Sequence, residues 1–197
     1  MVYRIALSLW LLLAFGLAGA SDEAELRRQC ESCHGPDGYS RDPRVPTIAG
    51  LSAISMEESL LQYREGARPA DRYRPEGGEE SDMVEVAKAL SRDEIVRLAE
   101  HYAALPYRPM VQPFDAALAA KGEVLHRERC EKCHTRGGSN PDDDASLLAG
   151  QGRAYLERQF QLILSGERVM PKKMRKRIHA LDSEDVEALV EYYVSRR

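Results

Sequence analysis

Two segments of this 197-residue chain carry the same reactive pattern: Cys30-Glu31-Ser32-Cys33-His34 and Cys130-Glu131-Lys132-Cys133-His134. Cysteines separated by two residues, with a histidine directly after, form the C-x-x-C-H pattern of covalent haem attachment. The spacing lets both thiols reach the two vinyl groups of one porphyrin edge, and the adjacent histidine then meets the iron. One such pentapeptide arises by chance; two at matching positions are far stronger evidence. A pair of C-x-x-C disulfides is a second use of these residues, but that motif belongs to a thioredoxin-like βαβ context, whereas this pattern is helical. Zinc is a third, and each half lacks a fourth ligand of the usual kind. Neither explains why a methionine repeats.

Low-spin haem iron needs a sixth ligand, and Met paired with His raises the reduction potential of electron carriers. Met83 and Met174 each stand seven residues before an equivalent leucine, Leu90 or Leu181. That register selects His34 with Met83 and His134 with Met174 as the metal ligands. Met170, followed by Pro171 in the same loop, is the competitor of Met174. Met56 and Met110 have no partner in the other half and read as filler. A haem histidine usually donates its other ring nitrogen to a carbonyl; Pro46 is placed to supply one, and Ser146 stands in its position in the second half. His101, His126 and His179 read as surface or packing residues. Arg68 and Arg168 also repeat, and either pair with haem propionates or are ordinary helix-end arginines.

The elements around these residues follow from an internal repeat, which bounds the fold before anything else. Cys30, Cys33, His34, Ala49, Gly50, Gly66 and Arg68 recur one hundred residues later, while Met83, Leu90, Leu98 and Tyr102 recur after ninety-one. The first half therefore holds nine extra residues between Arg68 and Met83, in a charged stretch rich in Gly and Pro that reads as a surface loop. Helices are expected over 22–33 and 115–133, each running into a cysteine pair, with Asp115 as N-cap of the second. Ser55-Met56-Glu57-Glu58 reads as a capping box for a helix that Gly66 stops, and Ser91-Arg92-Asp93-Glu94 as another, for a helix with Ile95, Leu98 and Tyr102 on one face. Pro106, Pro109 and Pro113 resist helix and stiffen the connection. The expected fold is all-α, with two tandem domains, 21–109 and 110–197.

At the N-terminus one charge, Arg4, precedes an apolar run from Ile5 to Leu17 and then Ala18-Gly19-Ala20. This reads as a cleavable signal peptide over 1–20, because the run is short for a bilayer span of roughly twenty residues. The expectation is a periplasmic protein with no permanent membrane span. Beyond residue 20 there are 27 basic and 32 acidic side chains, which is no composition for binding nucleic acid. The charge is uneven, with 12 basic and 18 acidic groups in 21–109 against 15 and 14 in 110–197. Lys172, Lys173, Arg175, Lys176 and Arg177 surround Met174, while Glu76, Glu79, Glu80, Asp82 and Glu85 surround Met83. Such runs are usually solvated faces, but opposite signs at two haem edges would steer different partners to each.

With these positions in hand, both halves resemble class I cytochrome c domains fused as in the cytochrome c4 family, across nearly all of the chain after residue 20. The resemblance implies a helical fold round each of two covalently bound c-type haems. The second half is similar to the dihaem cytochrome subunit of flavocytochrome c sulfide dehydrogenase, through Tyr107-Arg108-Pro109-Met110, Phe114 to Ala119, Cys130 to His134 with Gly137-Gly138, Leu148 to Gln151, and Met170-Pro171-Lys172-Lys173-Met174. That likeness implies Cys130 and Cys133 as thioether residues, His134 and Met174 as axial ligands, and a role as a non-catalytic electron-transfer subunit. Its partners would be a sulfide-oxidising flavoprotein and a downstream acceptor. The first half keeps Cys30, Cys33, His34 and Met83 but departs in the 69–82 loop. A free cytochrome c4-type shuttle to a terminal oxidase is the alternative. A dihaem peroxidase, which needs one open iron position, is opposed by a methionine in each half.

Overall fold

The computed structural model describes residues 22–197, so the expected signal peptide lies outside the described residues. The helices are α1 (Glu23–His34), α2 (Ala53–Arg64), α3 (Met83–Ala89), α4 (Arg92–Ala103), α5 (Ala116–Arg129), the distorted turn α6 (Thr135–Gly138), α7 (Arg153–Leu164), α8 (Lys172–Ile178) and α9 (Ser183–Ser195). Among the described residues there is no strand, only an isolated antiparallel bridge between Tyr73 and Ser81 inside the expected surface loop. None of these helices is long and apolar enough to cross a membrane.

The repeat is visible in backbone hydrogen bonds as well as in side chains. Gly38 O accepts from Ile48 N at 2.9 Å, and Gly138 O from Leu148 N at 2.9 Å; Gly50 N donates to Tyr102 O at 2.8 Å, and Gly150 N to Tyr193 O at 2.7 Å. In both halves these bonds tie the loop after the histidine to the terminal helix. Glycine is required at Gly38: its φ is +77°, and a Cβ there would lie 2.7 Å from Ile48 Cγ1 and 2.9 Å from Tyr102 Cε1.

Each half has its own core. In the first, Leu26, Leu60, Ile95, Leu98 and Tyr102 pack together, with Cys30 and Met83 at the edge. In the second, Leu125, Leu156, Leu189, Val190 and Tyr193 do so, with Cys130 at the edge. α5 and α9 cross so closely that a Cβ on Gly122 would sit 2.0 Å from Ala188 O.

The capping chemistry sets most helix starts. Asp115 caps α5, its carboxylate accepting from Ala117 N and Leu118 N at 2.8 and 2.9 Å, and Ser91 with Glu94 closes the expected capping box on α4. Two expectations need correction. α2 opens at Ala53, three residues early, because Ser52 is the N-cap and accepts from Ser55 N at 3.3 Å. Ser55 is instead buried against Ser146 Oγ, 3.2 Å away in the other half. α5 does not run through 133; it stops at Arg129, and Cys130–Cys133 is a turn.

The halves meet along α2, α7 and the loops before them. Gln151, 1% exposed, bonds both backbone groups of Thr47, accepting from its N–H at 3.0 Å and donating to its C=O at 2.9 Å. Tyr155 N donates to Pro43 O at 2.8 Å and Val169 N to Ala67 O at 3.1 Å. At the rim, Arg158 holds Asp71 through two bonds of 2.7 and 2.8 Å.

Candidate haem sites

At the first site α1 delivers Cys30, Cys33 and His34 on its last turn, and Gly35 ends the helix. His34 is buried, and its Nδ1 lies 2.8 Å from Pro46 O. A carbonyl only accepts, so Nδ1 carries the hydrogen and Nε2 keeps its lone pair for a metal. Burial holds the His34 imidazole below its ordinary pKa, against the opposing pull of the Pro46 carbonyl, so the neutral form is favoured.

At the second site His134 repeats this arrangement with Ser146 O at 3.1 Å, and burial again favours the neutral ring. A carbonyl twelve residues after the histidine serves both rings, whether proline or serine bears it.

All four thiols are free. Burial pushes Cys30 up to about 11 and raises Cys130 as well, with Tyr102 and Tyr193 beside them. Among the described residues no cluster of three or more His, Cys, Asp or Glu side chains is arranged to hold a metal ion by itself. The disulfide and zinc uses of these residues therefore lack support in the structure.

Met83 is the first residue of α3 and packs at the edge of the first core. Met174 lies in the first turn of α8, and Met170 two residues before that helix; both are partly buried. The surroundings differ in charge. Arg72 pairs with Glu80, Asp82 and Glu85 near Met83, partly neutralising the acids there. Lys172, Lys173, Arg175, Lys176 and Arg177 are exposed, and among the described residues none forms an ion pair. Lysines in the opening turn oppose the helix dipole, and α8 has no side-chain cap, so local stability does not account for them.

Two arginines, Arg68 buried and Arg168 half-buried, test whether these surroundings fit a haem. Arg68 donates to Ser59 Oγ at 3.0 Å, Tyr155 Oη at 2.9 Å and Gln159 Oε1 at 3.1 Å; Arg168 donates to the same Gln159 oxygen at 2.6 Å. Both Nε groups are buried without a partner. Two guanidinium groups in one interface with neutral partners and unused donors suit added carboxylates, and haem propionates are carboxylates. The position at a helix end did not reveal this burial.

Of the two readings of His126, surface or packing, the structure bears out the second: it is 1% exposed, with both ring nitrogens bonded to groups around the second cysteine motif, a role the sequence did not show. The replacement of Leu26 by His126 in the repeat was the available signal.

Comparison with known proteins agrees with the repeated geometry. The family model described as cytochrome c oxidase, cbb3-type, subunit III matches residues 117–192. The chain is 27% identical to cytochrome c4 of Azotobacter vinelandii, covering 92% of this chain and 94% of that one. It is 36% identical over 73 residues to cytochrome c-554(548) of Halomonas halodenitrificans, spanning 37% of this chain and 80% of that protein. A protein of Thiomonas intermedia named thiosulfate dehydrogenase electron acceptor is 29% identical, covering 71% and 64% of the two chains. The crystal structure of reduced cytochrome c4 from Pseudomonas stutzeri superposes with a TM-score of 0.70 at 25% identity, over 90% of this chain and all of that one. A helical fold repeated round two C-x-x-C-H segments, shared over most of the chain with the cytochromes c4 and over one part with cytochrome c-554(548), places the chain in the class I cytochromes c, as a dihaem c-type cytochrome of the cytochrome c4 group.

Proposed function

We propose that this dihaem electron-transfer protein works in the periplasm as the electron acceptor of a dehydrogenase that oxidises an inorganic sulfur compound, and passes the electrons to a second, acidic protein. Each haem, when bound, supplies a one-electron couple. Cys30 and Cys33 hold one haem and His34 and Met83 ligate its iron; Cys130, Cys133, His134 and Met174 do the same for the other. The domains are 21–109 and 110–197 after removal of a signal peptide over 1–20. The buried Thr47–Gln151 contact keeps the two sites in a fixed relation, so electrons need not wait for domain motion. The observation that carries the docking part is the unpaired basic surface of α8 beside Met174, which attracts an acidic acceptor through long-range steering.

The likeness of the second half to the sulfide dehydrogenase subunit supports a sulfide-oxidising flavoprotein as the donor. The thiosulfate dehydrogenase acceptor from Thiomonas intermedia supports a thiosulfate-oxidising donor. Full-length similarity to cytochrome c4 supports a second reading, a free shuttle to a terminal oxidase with no permanent donor.

The test begins with the mass of the mature protein, expected to include two covalent haems. Native protein purified at low salt is then mixed with periplasmic fractions and either sulfide or thiosulfate. Reduction in one arm, through a co-purifying dehydrogenase, is the expected result. Reduction in neither arm, with no bound partner, overturns the dehydrogenase reading in favour of the shuttle. Replacing Lys172, Lys173 and Lys176 by Gln should slow reoxidation by an acidic acceptor at low salt and leave the donor step unchanged.

A further inference from the structure

The second site contains a polar network built round one buried imidazole, which the first lacks. His126 Nδ1 lies 2.9 Å from Tyr193 Oη, and Nε2 lies 2.7 Å from Glu131 Oε2 and 3.0 Å from His134 O. Glu131 also accepts from the backbone of Arg136 at 2.9 Å and Gly137 at 3.1 Å. Cys130 N and Glu131 N both donate to His126 O, at 2.8 and 2.9 Å. One imidazole thus ties the end of α5, the turn carrying Cys130 to His134, and the terminal helix α9.

The equivalent of His126 in the first half is Leu26, a buried core residue. Tyr102, the equivalent of Tyr193, has a buried hydroxyl beside Cys30 and no imidazole to bond it.

The polarity of the network follows from its acceptors. A carboxylate and a carbonyl both face Nε2, so Nε2 carries the hydrogen. Nδ1 of the neutral ring then accepts from the Tyr193 hydroxyl. That O–H bond points away from Cys130 and leaves its oxygen lone pairs on the cysteine side. Nothing commits the Tyr102 hydrogen in the first half, so it is free to turn toward Cys30. The two cysteine sulfurs therefore face opposite ends of the same dipole; each motif carries a glutamate, Glu31 or Glu131, but only Glu131 is bonded to an imidazole.

We propose that His126 is a positioning residue of the second haem site, which fixes the Cys130–His134 turn and the Tyr193 hydroxyl and thereby lowers the reduction potential of that haem. Electron density turned toward the second haem favours its ferric state, so its potential is held below the value an apolar residue at position 126 would give. This rests on the reading that Cys130, Cys133 and His134 hold that haem.

The experiment is a redox titration of the full dihaem protein carrying His126→Leu, His126→Gln or Leu26→His, each checked by mass for two haems. His126→Leu should raise one midpoint by the equivalent of about tenfold in the ferric-to-ferrous ratio, about 59 mV for one electron, and leave the other in place. The Gln amide can donate to the Glu131 side and accept from Tyr193, so His126→Gln should restore most of the shift. Leu26→His, given Tyr102 and Glu31 in register, should lower the other midpoint. NMR of the haem methyl groups should report changes confined to the same haem in each case. Two attached haems with both midpoints unmoved by His126→Leu, or a Gln variant no different from Leu, overturns the inference. A wild-type protein whose mass lacks the second haem overturns the site reading instead.

Discussion

At the first site α1 runs unbroken through Cys30 and Cys33 to His34, whereas at the second α5 stops at Arg129 and the same five-residue spacing is carried by a turn. The flanking loops differ too: Gly35 takes positive φ in one half and Arg136 in the other, although Asp37 and Gly137 match. Yet each histidine reaches the carbonyl twelve residues on, and each loop is tied to the tyrosine of its terminal helix. The shared constraint is the position of each histidine and of the loop that orients its ring. The backbone between is free to vary, and the variation places different polar groups around each cysteine pair. A duplicated segment can thus keep the placement of its histidine and still diverge in electrostatics.

The largest effect expected from breaking this comparison is at the methionines. Met83→Ala and Met174→Ala should each remove about half of the near-infrared absorption of Met-ligated ferric haem. Loss of half the band from Met170→Ala, with Met174→Ala silent, would show that the repeat register fails at α8.

A smaller effect should separate the two halves by packing. Gly122→Ala forces a Cβ against Ala188 O at the crossing of α5 and α9, and should destabilise the protein by about 1–3 kcal/mol in denaturant titration. Gly66→Ala meets no atom within 4 Å, although its φ is +75°, so only the backbone penalty of about 1 kcal/mol is expected. Equal losses would contradict the assignment of the tight crossing to the second half.

The smallest difference should appear in acid. Glu191 is bound by Arg153 and accepts from Asp115 N at 2.8 Å, and the Arg153 guanidinium leads the interactions that hold its carboxyl below the ordinary value. Its repeat partner Glu100 is exposed. A lowered carboxylate pKa gives stability that is complete above the unfolded value of about 4.3 and is lost as pH falls through the folded one. Glu191→Gln should therefore cost on the order of 1 kcal/mol at neutral pH and lose part of the slope of stability below about pH 4.5, while Glu100→Gln, at an exposed position, should cost little at neutral pH. Parallel acid unfolding curves for wild type and Glu191→Gln would refute this.

Much of this molecule is written locally. Two C-x-x-C-H segments, a repeat of one hundred residues, Ser91 with Glu94, and Asp115 before an alanine-rich helix are short-range patterns whose physics acts within a few residues, so they could be read without the fold. The histidine–carbonyl pairs were legible for the same reason, because twelve residues of loop separate donor from acceptor. The start of α2 was misread because Ser52 and Ser55 are both competent caps, and the contact of Ser55 with Ser146 belongs to the other half. Only the tertiary structure decided what Arg68, Arg168 and His126 do. Arg68 finds its partners 87 and 91 residues away, and His126 meets Tyr193 67 residues away. Whether a polar side chain is solvated or buried with its hydrogen bonds made depends on which elements close over it, and that is set by the packing of helices distant in the chain.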